Sequence, residues 1–292
     1  MFSTSIQIGS TEKGVVIAVK GAVVTQQDDK YLLHKMGPKL IHISRENQIG
    51  VLESIGRGLG RQDMFVKTSQ SGEKTISGGS VSFKQVQDRA RNYVERNLQR
   101  FAISIITGGI ILFDGALSAR EWDTPTKFLE ASRELAFDKG NSLVGVAKRS
   151  DLEIGGVNIL YLLGDNQEPC YQEIKDPDWS ALYPPSSGTI FVVRFGPGGF
   201  TFRTDVCPFI VPAEEILNRL YQNARIWLGY PYLLKLAHIH SVFTKPEIVQ
   251  LQVLAAKNYG LRMQKPRDIS VIFAPFRRGG LKNEYFGSRN KR

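Results

Sequence analysis

Asp114 ends a continuous apolar run, residues 110–113, and is followed at once by Gly115. An acid at the carboxyl end of a buried strand points into the crevice where α/β sheets bind ligands, and its oxygens suit a hard divalent cation. The same placement also suits a simple cap of the following turn. A second acid, Glu95, sits on the flank of the apolar stripe of a helical stretch in which Asp88 is the one competing carboxylate. Because Arg91 precedes Glu95 by one helical turn, an exposed ion pair is its competing role. Carboxylates of this kind, if brought together, serve phosphodiester hydrolysis by metal-activated water. Two ions about 4 Å apart stabilise the attacking and the leaving oxygen together. Lys148, after the next apolar run, can neutralise a phosphate or orient a nucleophile, or can be a solvated strand-end lysine.

The elements that must position these groups follow from periodicity and turn residues. Residues 15–24 (VVIAVKGAVV) are rich in β-branched side chains and predict a strand; 31–33 and 40–44 predict two more, broken at Gly37-Pro38, as an antiparallel meander. Residues 50–80 turn rich in Gly, Ser and Arg and predict a loop-rich insertion. Ser82 fits an N-cap, after which Phe83, Val86, Ala90, Tyr93, Val94, Leu98 and Phe101 recur at helical spacing over about five turns. A strand at 110–113, a helix at 126–138 and a strand at 143–147 predict a right-handed parallel crossover. Further strands are expected at 158–163, 189–195 and 200–204, the last two joined as a hairpin through Gly196-Pro197-Gly198-Gly199. Helices are expected at 212–227, 231–243 and 246–258, a late strand at 269–273, and a basic tail from about 276. One domain spanning 1–292 accounts for the pattern.

This order is that of the ribonuclease-H-like fold: an α/β architecture whose mixed sheet has three antiparallel strands and then parallel crossovers, flanked by helices. That resemblance implies converging carboxylates from the first strand, the first helix and the end of the fourth strand.

The totals are consistent with a polyanionic partner. The 292 residues carry a formal charge of +10, with 38 Lys and Arg against 28 Asp and Glu. Each phosphate neutralised by such a chain releases counterions. In the tail, Phe276, Tyr285 and Phe286 alternate with arginines and lysines, a composition suited to gripping a single strand or to a solvated end. Cys170 and Cys207 are far apart, without metal-ligand spacing or a disulfide framework, which fits a reducing compartment. The N-terminal residues have no basic stretch followed by an apolar one, and the longest apolar run is too short to span a bilayer. A cytoplasmic protein without membrane attachment is expected. Neither a Ser-His-Asp set nor a Cys-His nucleophile pair has supporting context.

Three blocks resemble the NurA nuclease family. Ile111-Leu112-Phe113-Asp114-Gly115-Ala116-Leu117-Ser118 is similar to its "hydrophobic-DG-x-L" block. Leu143-Val144-Gly145-Val146-Ala147-Lys148-Arg149-Ser150 is similar to its next strand, and Gly229-Tyr230-Pro231-Tyr232-Leu233-Leu234-Lys235-Leu236-Ala237-His238 to its "GYP…L…AH" block. The resemblance implies a Mn2+- or Mg2+-dependent nuclease acting on single-stranded DNA and DNA ends. It further implies a homodimer working with a HerA-type hexameric ATPase in end resection. Asp114, Glu95 and His238 would then hold metal, His238 as ligand or proton-transfer group, while Tyr230 and Lys148 position the phosphate. Outside the block, His238 would read as a buried helix histidine and His240 as structural.

One position departs from the pattern. The family's first strand carries Asp-Gly, and the best match here is Val19-Lys20-Gly21-Ala22, with lysine where a carboxylate is expected. A lysine supplies no oxygen ligand. Asp28, Asp29 or Asp205 can substitute, one metal can suffice, or the chain binds DNA or a translocase without cutting. An unrelated ribonuclease-H-like enzyme acting on RNA or structured DNA is a third reading.

Overall fold

The computed structural model describes residues 1–12, 14–27, 30–44, 65–67, 73–75, 80–81, 83–118, 126–165, 167–175 and 188–261. Strands β1 (Phe2–Ser10), β2 (Gly14–Gln27) and β3 (Lys30–Ser44) pair antiparallel with β2 in the middle. Short strands β4 (Phe65–Lys67), β5 (Glu73–Thr75) and β6 (Ser80–Val81) form a sheet of their own. Helix α1 (Phe83–Ile105), strand β7 (Ile110–Asp114), helix α2 (Thr126–Asp138) and strand β8 (Ser142–Ala147) make the parallel crossover. A two-residue ladder, β9 (Glu153–Ile154) with β10 (Val157–Asn158), precedes β11 (Cys170–Glu173), β12 (Thr189–Arg194) and β13 (Thr201–Cys207). The chain continues through α3 (Ala213–Asn223), β14 (Ile226–Trp227), β15 (Tyr230–Pro231), α4 (Tyr232–Ser241) and α5 (Lys245–Tyr259).

The larger sheet has the order β11-β12-β13-β8-β7, parallel only between β7 and β8. Met1 connects it to the first sheet: its nitrogen donates to Leu112 O at 2.6 Å and its carbonyl accepts from Asp114 N at 3.2 Å. That is the slanted pattern of a parallel pair, so β1 starts alongside the end of β7. The result is a mixed α/β fold with helices against the sheets.

Strand periodicity sorts the core. In β2, Val15, Ile17, Val19 and Val23 face Ala90, Val94, Leu98 and Ala102 of α1, whereas Val16 and Ala18 face Ile248, Leu251 and Ala255 of α5. In β7, Ile111 and Phe113 join the α1 side, and Leu112 joins Ile216, Leu217 and Leu220 of α3 on the other. Alternation with period two forces this division, because successive side chains leave a strand on opposite faces. Both faces are covered, which is why β2 and β7 read as continuous apolar runs.

Several expectations are corrected. The strand predicted at 15–24 is the second, not the first, because β1 precedes it; polar Ser3, Thr4, Ser5 and Gln7 hide β1's pattern. The two strands expected at 31–33 and 40–44 are one, β3, with Gly37 (φ 86°) absorbed where pairing jumps from Val19↔Lys39 to Gly21↔Met36. Positive φ at a glycine makes such a bulge accessible without breaking the strand. Residues 158–163 hold a 3-10 turn, Ile159–Tyr161, because the Asn158 side chain accepts from Leu160 N and starts a turn instead. The helix expected through Trp227 stops at Asn223, and β11 adds a strand beyond those the periodicity predicts. Phe101, read as core, is 44% exposed. Ser82, Asp28, Asp29, most of the 50–80 insertion, the strand at 269–273 and the basic tail lie outside the described residues. Both cysteines are free, and among the described residues no helix is long and apolar enough to cross a membrane.

Candidate active site around Asp114

Asp114 closes β7, and in the parallel register it lies opposite Val146 of β8. Lys148, just past the end of β8, therefore emerges beside it, with its Nζ 2.6 Å from Asp114 Oδ1. The Tyr230 hydroxyl donates to the same oxygen at 2.9 Å. Tyr230 comes from the β14–β15 hairpin and is buried against Phe202, with ring centroids 5.4 Å apart. Burial, and then the charge and hydrogen bond of Asp114, hold its phenol well above the usual range, so it stays a donor. Lys148 also lies 4.8 Å from the Phe2 ring and 4.9 Å from the Tyr230 ring, positions favourable to a cation.

His238 reaches this cluster from α4. It is 2% exposed and stands edge-on to Phe2, ring centroids 4.3 Å apart. Burial, and then Lys148, push its ring down to about 4, while Asp114 partly opposes them. A neutral imidazole at pH 7 is the form that binds metal or accepts a proton. The helix is anchored here by Ser241, whose hydroxyl donates to His238 O at 2.9 Å and lies 3.0 Å from Thr4 Oγ1 of β1. Asp114, Lys148, Tyr230 and His238 are thus brought together from three blocks that lie far apart in the chain.

Glu95 is placed differently. Its side chain is 26% exposed and lies 3.8 Å from Arg91 Nε, the competing ion pair. Burial raises its carboxyl, Arg91 and Arg96 oppose this, and the Asp114 and Asp88 charges add to the rise. Glu95 therefore feels Asp114 electrostatically, but it extends from α1, the layer covering the Ile111 and Phe113 face of β7. Residue 114 shares its parity with Leu112, on the opposite face. Among the described residues, no three His, Cys, Asp or Glu form a group able to hold a metal ion. The donors fit a divalent cation in type, being two carboxyls and a neutral imidazole. As arranged, Lys148 supplies the positive charge on Asp114.

The turn after Asp114 is fixed by groups that sequence reasoning missed or misassigned. Asp205, considered above as a substitute metal ligand, is fully buried and serves as an anchor. Its Oδ2 accepts from the Leu117 amide at 2.9 Å, and the Arg203 guanidinium clamps both carboxyl oxygens at 2.7 and 3.0 Å. Arg203 also donates to Ser118 Oγ at 2.5 Å. To reach Asp205 the turn crosses β8 at Gly145, where a Cβ would stand 2.6 Å from Gly115 O and 2.8 Å from Leu117 N. A glycine inside a buried apolar strand is the signal for such a close approach, and Gly145 carried it in the sequence.

Lys20 is the main correction. Its ammonium is bidentate on Glu247 of α5, at 2.8 and 2.9 Å, and 4.9 Å from the Phe243 ring. The cause is parity: Lys20 follows Val16 and Ala18 onto the α5 face of β2, away from α1. The residues of β1 and its start that adjoin the end of β7 are Met1 and Phe2, neither with an oxygen in its side chain.

The family model described as NurA domain matches residues 5–243. No curated protein matches the chain. Among solved structures, the chain is similar to the NurA nuclease from Sulfolobus solfataricus, at 16% identity and TM-score 0.44, covering 88% of this chain and 83% of that one. A second NurA structure gives 10% identity and TM-score 0.39, covering 88% of each chain. A NurA structure with manganese gives 12% and 0.37, covering 91% and 89%.

Proposed function

The chain belongs to the NurA family, and on that premise we propose that it is a metal-dependent deoxyribonuclease that hydrolyses phosphodiester bonds in single-stranded DNA and at DNA ends. The observation that carries this reading is the convergence of Lys148 and Tyr230 on Asp114 Oδ1, with the His238 ring close enough to feel the charges of both Lys148 and Asp114. A divalent ion, Mn2+ or Mg2+, would be held by Asp114 and His238, with Glu95 adding negative charge from α1 unless a rearrangement brings it round as a third ligand, and it would supply the Lewis acid and the activated water. Lys148, released from Asp114, neutralises a phosphoryl oxygen; Tyr230, held protonated, donates a hydrogen bond to another. His238, neutral at pH 7, can accept a proton. A ribonuclease-H-like core is supported by the Met1 link, which orders the strands β3-β2-β1-β7-β8. We further propose a homodimer, acting with a HerA-type hexameric ATPase, on the family resemblance alone.

The test is direct: incubate purified protein with labelled single-stranded DNA and manganese, with and without chelator. Manganese-dependent products support the reading; their absence at any metal concentration overturns it. A second reading, a subunit that binds DNA or a translocase without cutting, is favoured by one observation. The strand beside Asp114 presents Phe2 rather than a carboxylate.

A further inference from the structure

The β14–β15 hairpin carries exposed groups that the chemistry proposed above does not use. Trp227 is 38% exposed and Leu228 74%, the latter projecting from the turn at φ 47°. The hairpin is seated rigidly on the β12–β13 loop. A Cβ on Gly229 would stand 2.7 Å from Gly199 Cα, and one on Gly199 3.0 Å from Gly229 Cα. Only glycines allow that approach.

Cations and rings interleave on this ledge. Lys235 Nζ lies 2.9 Å from the Trp227 ring centroid and 5.8 Å from that of Tyr232. The Arg225 guanidinium lies 4.7 Å from the Tyr232 ring, and Tyr31, 41% exposed, meets Tyr232 edge-on at 6.0 Å. Partial desolvation and then the Arg225 charge hold the Lys235 amine below its usual range. No Asp or Glu stands between Glu215 and Glu247 in the sequence, and neither cation pairs with a carboxylate among the described residues. The ledge adjoins the Asp114 cluster: Trp227 pairs across the hairpin with Tyr230, and Lys235 precedes His238 by one turn of α4.

We propose that this ledge is a subsite for single-stranded nucleic acid, with Arg225 and Lys235 taking phosphates beside the reacting one and Trp227 and Tyr31 stacking bases. The subsite rests on the nuclease reading for its place beside the reacting phosphate. Its own support is the combination of two cations with no carboxylate partner among the described residues and partly exposed aromatic rings, which a strand satisfies through backbone and bases at once. A protein interface would leave two like charges in a core where charge is normally depleted.

The test is fluorescence anisotropy of a labelled oligothymidylate in EDTA, where cleavage is suppressed, with wild type, Trp227→Ala, Trp227→Phe, Arg225→Ala and Lys235→Ala. Trp227→Ala should weaken binding on the order of tenfold, with Trp227→Phe recovering most of it. Each cation variant should lower the log–log salt slope by about 0.7. Wild-type affinity and salt slope in Trp227→Ala and Lys235→Ala would overturn the subsite. A changed sedimentation coefficient with unchanged oligonucleotide affinity would overturn it in favour of a contact between copies. Loss of binding in the ledge variants but not in Asp114→Asn supports the ledge even if wild type fails to cut. Cleavage by wild type with no effect of the ledge variants removes the ledge and leaves the nuclease reading standing.

Discussion

The Lys148 ammonium sits 2.6 Å from Asp114 Oδ1, so the acid at the end of β7 is already neutralised by a residue of the neighbouring strand's end. The parallel register of β7 and β8 makes this contact, and it sets the terms on which the site can take up a dication. Metal and ammonium must share or contest one carboxylate.

Lys148→Met should therefore bind manganese more tightly, by roughly tenfold or more, because a fixed positive charge about 4 Å away is removed. Cleavage should nevertheless fall, since the phosphate loses a cationic partner. Isothermal titration with manganese, alongside turnover of single-stranded DNA, reads both effects. Weaker metal binding in the variant would mean that Lys148 does not oppose the ion.

Asp114→Asn keeps the side-chain shape and an oxygen for Tyr230 but loses the charge that ties Lys148 and metal. Cleavage should drop on the order of 10³-fold, with the circular dichroism spectrum unchanged. A folded variant that cuts at the wild-type rate would remove Asp114 from the mechanism.

The Lys20–Glu247 pair should appear in stability rather than in catalysis. Burial would raise the Glu247 carboxyl, but hydrogen bonds from Lys20 and Thr244 overcome this and hold it below its ordinary value of 4.5. A depressed acid stabilises the fold above its unfolded pKa, and this contribution disappears as pH falls through the lower, folded value. Thermal unfolding followed from pH 6 downward should thus show an acid-side loss beginning near 4.5, reduced in Lys20→Met. Lys20→Asp should destabilise by setting two acids face to face, without tightening manganese binding. Tighter manganese binding would return Lys20 to the metal site.

Gly145→Ala tests the turn that carries Asp114 out of the sheet. A Cβ there meets backbone atoms of Gly115 and Leu117, so the turn must lift off Asp205. The expected cost is about 1–3 kcal/mol in denaturant unfolding, with cleavage lost beyond what the stability change explains. Asp205→Asn should also destabilise, by about 1–3 kcal/mol, because a fully buried acid that accepts from the Leu117 amide and from Arg203 loses its charge. Equal activity of a folded Gly145→Ala protein would show that the turn's height does not matter.

The sequence by itself determined the elements whose faces are buried on both sides, together with the acid that ends one of them. The apolar runs of β2, β7 and β8 admit few other structures, and Asp114-Gly115 marks its strand end without help from elsewhere. The three family blocks likewise contain Asp114, Lys148, Tyr230 and His238, so these four are legible as candidates in the sequence. What only the tertiary structure decided was which groups face one another. Lys20 and Glu247 are separated by most of the chain, and their pairing follows from the parity of β2 and the side on which α5 docks, neither of which local pattern specifies. Asp205 looked like any acid until its strand placed it beneath the Leu117 amide. The first strand is illegible in the sequence because its polar residues blur the period-two signal, and its place beside Asp114 rests on two backbone hydrogen bonds at Met1, which carry no side-chain signature at all.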